Sequence, residues 1–258
     1  MKFKDLKWSL WLVKVFKGSR SATNVKGLYK VSDSCQIPNL SFLLEQIFGD
    51  KSDGWLVEIG AFDGISFSNS SGLISYGWHA DLVEPIPKYA RLCKQMYKEN
   101  KKVSIHEFAI SDIPGNQDIY LAGALSSLDS EMISEYADIE WAKPSLENST
   151  IQIRTLTMNE FLGKLNRSFA LDLLIIDVEG HEEKVLNAFD FHFWSPTMII
   201  IELSEHHPDL KKHRLSHYRC KMKIESFGYV IMYKDLINTV FVKKTVLDFT
   251  MNDRNKII

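Results

Sequence analysis

Short apolar runs alternate along this chain with stretches whose apolar positions recur at helical spacing. Leu40, Leu43, Leu44 and Ile47 predict a helix over 38–48. Strands are then expected at 55–59, 80–83, 103–109, 171–176 and 198–201. Helices are expected between them, at 68–76, 87–100, 157–165, 182–189 and 209–226. The run at 171–176 is almost unbroken, as for a strand covered on both faces. A short strand fits 150–154, and 129–141 has helical character within a less regular region spanning 111–150. The runs at 229–233 and 239–242 flank an Asn-containing turn and predict a hairpin at a sheet edge. This alternation describes an α/β fold with a mostly parallel sheet and helices on both faces.

Ahead of this pattern, Lys2, Lys4, Lys7, Lys14, Lys17 and Arg20 face only Asp5 and are interleaved with Trp8, Leu10, Trp11, Val13 and Phe16. Residues 1–20 predict a basic amphipathic helix. It either makes peripheral contact with a membrane surface or docks on the domain with its lysines in water. Residues 17–38 look like a linker. The expected organisation is an N-terminal lead-in over 1–50, a catalytic domain over 51–245 with 111–150 as its acceptor lid, and a tail over 246–258.

Composition adds limits. The chain has 258 residues, 45% hydrophobic and 25% charged, ordinary for a globular domain. A net charge of −2 lacks the basic field expected of a nucleic-acid binder, so no nucleic-acid partner is expected. Cys35, Cys93 and Cys220 are scattered and form no C-x-x-C pair, which fits a reducing cytoplasm. No apolar run is long enough to span a bilayer.

The candidate chemistry sits at the strand ends. Val57-Glu58-Ile59-Gly60-Ala61-Phe62-Asp63-Gly64 runs from an apolar strand through an acid into a glycine turn, and Glu84 ends the next strand. An α/β sheet holds an adenosine-containing cofactor in this way, with the second acid on the ribose hydroxyls. The glycines are spaced G-x-x-x-G, unlike a pyrophosphate fingerprint, and no Gly-Lys-Ser/Thr is present. S-adenosylmethionine is therefore favoured over NAD or ATP. Further acids follow the later strands: Asp112, Asp177 with Glu179, and Glu202 with Glu205 and His206. One such acid is explained as a helix cap, but several on neighbouring strands should converge on one crevice.

These residues resemble the FkbM family of S-adenosylmethionine-dependent methyltransferases over about 55–243. The likeness rests on the Glu58–Gly64 turn, Ser68-Asn69, Gly77-Trp78, Val83-Glu84-Pro85, Ala109-Ile110-Ser111-Asp112, Ile199-Ile200-Ile201-Glu202, and above all Asp177-Val178-Glu179-Gly180 followed by Glu182. The resemblance implies a Rossmann-like class I methyltransferase fold with a seven-stranded sheet, and an oxygen acceptor. It also implies that Glu58, Gly60, Asp63 and Gly64 line the methionine end and turn, that Glu84 takes the ribose, and that Ser111 and Asp112 lie at the adenine edge. Asp177, Glu179 and Glu202 would face the reaction centre, with Asp177 also near the cofactor.

O-methylation needs alignment of the acceptor oxygen with the methyl group, and a base for the hydroxyl proton. His206 is the first candidate base, since imidazole titrates near working pH, although it equally suits a solvent-facing loop; Asp177 is the second. Asp177 and Glu202 could also share a Mg²⁺ ion. The expected activity is methyl transfer to a hydroxyl of a carbohydrate or small metabolite. The alternatives are a nicotinamide-dependent oxidoreductase, or a non-catalytic membrane-associated interaction protein that keeps the fold.

Overall fold

A computed structural model of the chain describes residues 28–30, 35–165, 167 and 169–247. The expected amphipathic helix over 1–20 lies outside the described residues. Most predicted elements form close to their expected limits. Helix α1 is Leu40–Phe48, followed by β1 (Trp55–Ile59), α2 (Ser71–Tyr76), β2 (His79–Val83), α3 (Pro87–Met96) and β3 (Val103–His106). Next come β4 (Ala109–Ile110), β5 (Gly115–Tyr120), α4 (Ser130–Tyr136), β6 (Thr150–Leu156), α5 (Met158–Lys164) and β7 (Leu173–Ile176). The chain continues through α6 (Glu182–Asn187), β8 (Met198–Glu202), α7 (Arg214–Ser226), β9 (Tyr229–Lys234) and β10 (Asn238–Lys243).

The main sheet has seven strands in the order β3-β2-β1-β7-β8-β10-β9. Strands β3, β2, β1, β7 and β8 pair in parallel, and β10 runs antiparallel to both β8 and β9. Alternate side chains build a core on each face. Trp55, Val57 and Ile59 pack with Met158, Phe161, Leu186 and Ile224 on one side. Leu56 packs with Leu40, Leu44, Leu73 and Leu82 on the other. The central strands are covered on both faces, so β7 is apolar and buried at every position.

Two expectations need correction. The strand expected over 103–109 is two strands. β3 ends at His106, and Ala109–Ile110 leave the main sheet to pair with β6. The region 111–150 is also more regular than expected. Its strand β5 pairs antiparallel with β6, giving a three-stranded sheet ordered β4-β6-β5. Ile119 and Ile153 of this sheet pack with Ile86 and Tyr89 beside the main sheet.

Strand order reverses between β1 and β7. The chain moves outward through β2 and β3 on one side, then returns to β7 and β8 on the other. In such sheets, ligands sit at the carboxyl ends of the strands flanking this point. Glu58, Glu84 and Asp177 all lie there.

Candidate active site

The strand ends are laced together before any side chain contributes. Asp177 N donates to Ile59 O, and Gly60 N to Val83 O, both at 2.9 Å. Gly60 has φ +91°, and a Cβ there would stand 1.8 Å from the carbonyl oxygen of Asp177. Only glycine lets the β1 and β7 loops approach this closely.

A cavity of about 380 Å³ opens beside this contact, within the size range of small-molecule sites. Its polar lining includes Glu58, Glu84, Asp177, Glu179 and His181. Ile86, Ala109, Ile110, Ile119 and Leu128 form apolar wall, and half-exposed Trp141 also lines it.

Glu84 is buried, and each carboxylate oxygen accepts one backbone N–H. Oε2 takes Phe62 N at 2.9 Å and Oε1 takes Ile86 N at 2.8 Å. Burial pushes its carboxyl up to about 8 despite these donors. Phe62 adopts φ +50° to present its N–H, and its ring lies 4.3 Å from that of Tyr89. Glu58 accepts from Ser70 Oγ at 2.5 Å. Burial raises it to about 7.

Asp177, Glu179 and Glu202 place one carboxylate oxygen each within 4.8 Å of the others. Burial first, and mutual repulsion second, push Glu179 and Glu202 well above the usual carboxylate range. Burial raises Asp177 to about 6. A hydrogen bond between Glu202 and Asp177 works to lower Asp177 and raise Glu202. The trio's oxygens are also of the kind that coordinates a hard divalent cation.

Glu179 stands at φ +54° and Gly180 at φ +94°. A non-glycine residue in this region stores strain on the order of 1–3 kcal/mol, which surrounding contacts must offset. Ser127 Oγ donates to Glu179 O at 2.6 Å. Tyr136 of α4 donates its hydroxyl to the Glu179 carboxylate. From below, Glu182 Oε1 accepts the N–H groups of Val178 and Gly180, each at 3.2 Å. His217 Nδ1 accepts from Ser204 N at 3.0 Å, leaving Nε2 to donate to Glu182 Oε2 at 3.3 Å. Against the burial that would raise it, this bond holds Glu182 below the usual range.

The structure thus brings Glu58, Gly60, Glu84, Asp177 and Glu179 to one cavity, with Glu202 behind them. It does not bring Asp63, Gly64, Ser111, Asp112 or His206 to the lining. Asp63 turns onto its own loop, accepting from Ile65 N and Ser66 N at 3.0 and 2.7 Å. Gly64 lets that loop pack on Cys93 of α3 and on Tyr97, which caps that helix. Ser111 is buried and bonds His181 Nε2 at 3.0 Å, so it touches the cavity through a lining residue. Asp112 pairs with Lys184 at 3.1 Å. His206 is 72% exposed and 4.0 Å from Glu205. The loop after β8 turns it to water, away from the cavity lining. Ser70, Ser127, Tyr89 and His217 escaped sequence reasoning because each acts through a contact distant in the chain. Tyr136 and Trp141 lie within the 111–150 region expected as the lid, and Glu182 was foreseen only as part of a motif.

The strand order, the lone antiparallel strand β10 and the acidic crevice at the switch point define a Rossmann-like, class I methyltransferase fold. Residues 58–233 match the Methyltransferase FkbM domain, and the chain belongs to that family. No curated protein matches it. Among solved structures, the chain is similar to the methyltransferase FkbM from Methylobacillus flagellatus KT. Identity is 13% and the TM-score 0.43, over 74% of this chain and 44% of that one. The chain thus spans less than half of that protein. It is also similar to an O-methyltransferase from Bacillus cereus in complex with SAH, at 16% identity and TM-score 0.42 over 90% of each chain. The O-methyltransferase TomG from Streptomyces achromogenes, in complex with SAM, matches at 11% identity and TM-score 0.42, over 78% of this chain and 76% of that one.

Proposed function

We propose that this chain is an O-methyltransferase that binds S-adenosylmethionine in the switch-point cavity and methylates a hydroxyl of a carbohydrate or small metabolite. The convergence of Glu58, Glu84, Asp177 and Glu179 on one cavity carries this reading. The residues suit the cofactor. Glu84 is fixed by two backbone N–H groups and keeps lone pairs for the ribose hydroxyls. The wall of Ile86, Ala109 and Ile110 suits the adenine face. Glu58 and Asp177 complement the cationic methionine end. When bound, the cofactor supplies an electrophilic methyl group on a sulfonium.

The chain's own residues then have three tasks. Asp177, raised to about 6, is suited to take the hydroxyl proton as the acceptor oxygen forms its bond to the methyl carbon. The methyl group that the cofactor would supply would leave its sulfur with the electron pair behind, so the chain would have only the hydroxyl proton to hold. Glu179, held by Tyr136 and Ser127, positions the acceptor through a neighbouring hydroxyl. The 111–150 region would serve as the acceptor lid: Gly123, Leu125, Leu128, Trp141 and Ser145 line the cavity, and the Trp141 face suits a sugar ring.

A second reading has Asp177, Glu179 and Glu202 bind Mg²⁺ and present sugar hydroxyls to it. The 4.8 Å cluster favours it. One assay addresses both: S-adenosylhomocysteine release over a panel of sugars and polyols, with added Mg²⁺ or with EDTA. Turnover that survives EDTA and falls roughly 10²–10⁴-fold in Asp177→Asn fits the general base. Turnover abolished by EDTA fits the metal. Equal turnover of Asp177→Asn and the unaltered chain without metal dependence rejects both.

A further inference from the structure

Helix α7 has two apolar stripes. His217, Cys220 and Ile224 face the core and are buried. Leu215, Tyr218 and Met222 repeat the same spacing and are exposed at 65%, 50% and 46%. At about 100° per residue the two stripes lie roughly 160° apart, on opposite sides of the helix. A surface helix ordinarily turns a polar face outward. This one shows water a leucine, a tyrosine and a methionine in line.

Cations border the outer stripe along both edges. Arg214 and Lys221 flank one side, and Arg219 and Lys223 the other, with Lys211 and Lys212 just ahead. Several are already oriented. Lys221 Nζ lies 6.0 Å from the Tyr218 ring centroid and 3.8 Å from Glu225. Arg219 pairs with Glu183 at 2.5 Å, and Lys223 donates to Asn187 at 3.1 Å. Against these cations stand Glu183 and Glu225, with Asp209 and Glu135 beside Lys211 and Lys212; the face keeps a positive excess although the whole chain carries −2.

We propose that the outward face of α7 lies on an anionic membrane surface. The apolar side chains would enter the headgroup boundary, while the flanking Lys and Arg stems reach the phosphates. Cations along both edges of a narrow apolar strip favour a planar anionic layer over an acidic protein patch. Durable attachment to such a layer takes two signals, and residues 1–20, basic and apolar in sequence, offer the second. The inference does not depend on the proposed methyl transfer.

Co-sedimentation of the full chain with phosphatidylcholine vesicles, with and without phosphatidylglycerol, tests it. Two variants are compared: Leu215→Ser/Tyr218→Ser/Met222→Ser, altering only exposed side chains, and Lys2→Gln/Lys4→Gln/Lys7→Gln. Thermal unfolding confirms that both fold. Binding should require the anionic lipid, weaken with salt, and fall roughly tenfold or more in the α7 variant. Three results would overturn the proposal. One is no anionic binding by the unaltered chain. Another is full binding by the α7 variant, with loss confined to the Lys2/Lys4/Lys7 variant. The last is an α7 variant whose oligomeric state changes while its vesicle binding does not, which would assign the face to a protein contact.

Discussion

Glu58 lies at the carboxyl end of β1, with Ser70 its hydrogen-bond donor and burial pushing its carboxyl up to about 7. The sign of its effect on stability follows. The folded state prefers the protonated form more than the unfolded chain does. That contribution is fully present below the ordinary carboxylate pKa and is lost as pH rises through about 7. Glu58→Gln imitates the neutral acid. It should exceed the unaltered chain in stability at pH 8 by on the order of 3 kcal/mol, with the gap closing toward pH 4–5. Urea denaturation across this range checks it; equal stabilities at pH 8 would mean that Glu58 is not penalised by burial. At this scale the chain disclosed its acids and concealed their partners. Glu84 was legible as the acid that ends the strand after the Gly60/Gly64 turn, and it lines the cavity. The position of His206 outside the cavity lining was not legible, because the turn after β8 decides where it points. Tyr136 offered no signal for Glu179, since 43 residues separate them.

At the scale of elements, the tightest constraint is the meeting of the β1 and β7 loops. Gly60 and Gly49 both have positive φ, but a Cβ at Gly60 strikes Asp177 O at 1.8 Å, whereas at Gly49 nothing lies within 4 Å. Gly49, at φ +59° and ψ −130°, lies outside the regions that L residues favour, so Gly49→Ala should cost the backbone penalty alone, about 1–3 kcal/mol. Gly60→Ala should cost more than about 3 kcal/mol and displace Asp177. Chemical denaturation of both variants separates the effects, and equal losses would mean that the loops do not need the close approach. Apolar runs disclosed every strand of the main sheet, because strands covered on both faces leave long hydrophobic signatures. They did not disclose β5. Its sequence GNQDIY buries only Ile119, so no periodicity marks it. The break at Glu107-Phe108 that sends Ala109–Ile110 to the second sheet is likewise set by pairing with β6.

For the whole molecule, the switch point is the organising feature: strand order brings acids from β1, β2, β7 and β8 to one end of the sheet. A ligand held there by several strands stabilises the fold as a unit. S-adenosylhomocysteine at a hundredfold excess over its Kd should add about 2.7 kcal/mol, raising Tm by roughly 5–10 °C, while NAD leaves it unchanged. Differential scanning calorimetry reads this directly, and a shift with NAD alone would point to the oxidoreductase alternative.

The most direct measurement is calorimetric titration of the full chain with S-adenosylmethionine, S-adenosylhomocysteine and NAD, repeated on Glu84→Ala. Micromolar binding of the first two and none of NAD is predicted. Glu84→Ala should weaken that binding by about 1–3 kcal/mol, as for two lost hydrogen bonds of about 0.5–1.5 kcal/mol each. A folded protein that binds neither methyl-donor ligand, or binds both equally well without the Glu84 carboxylate, would contradict the assignment of the cavity.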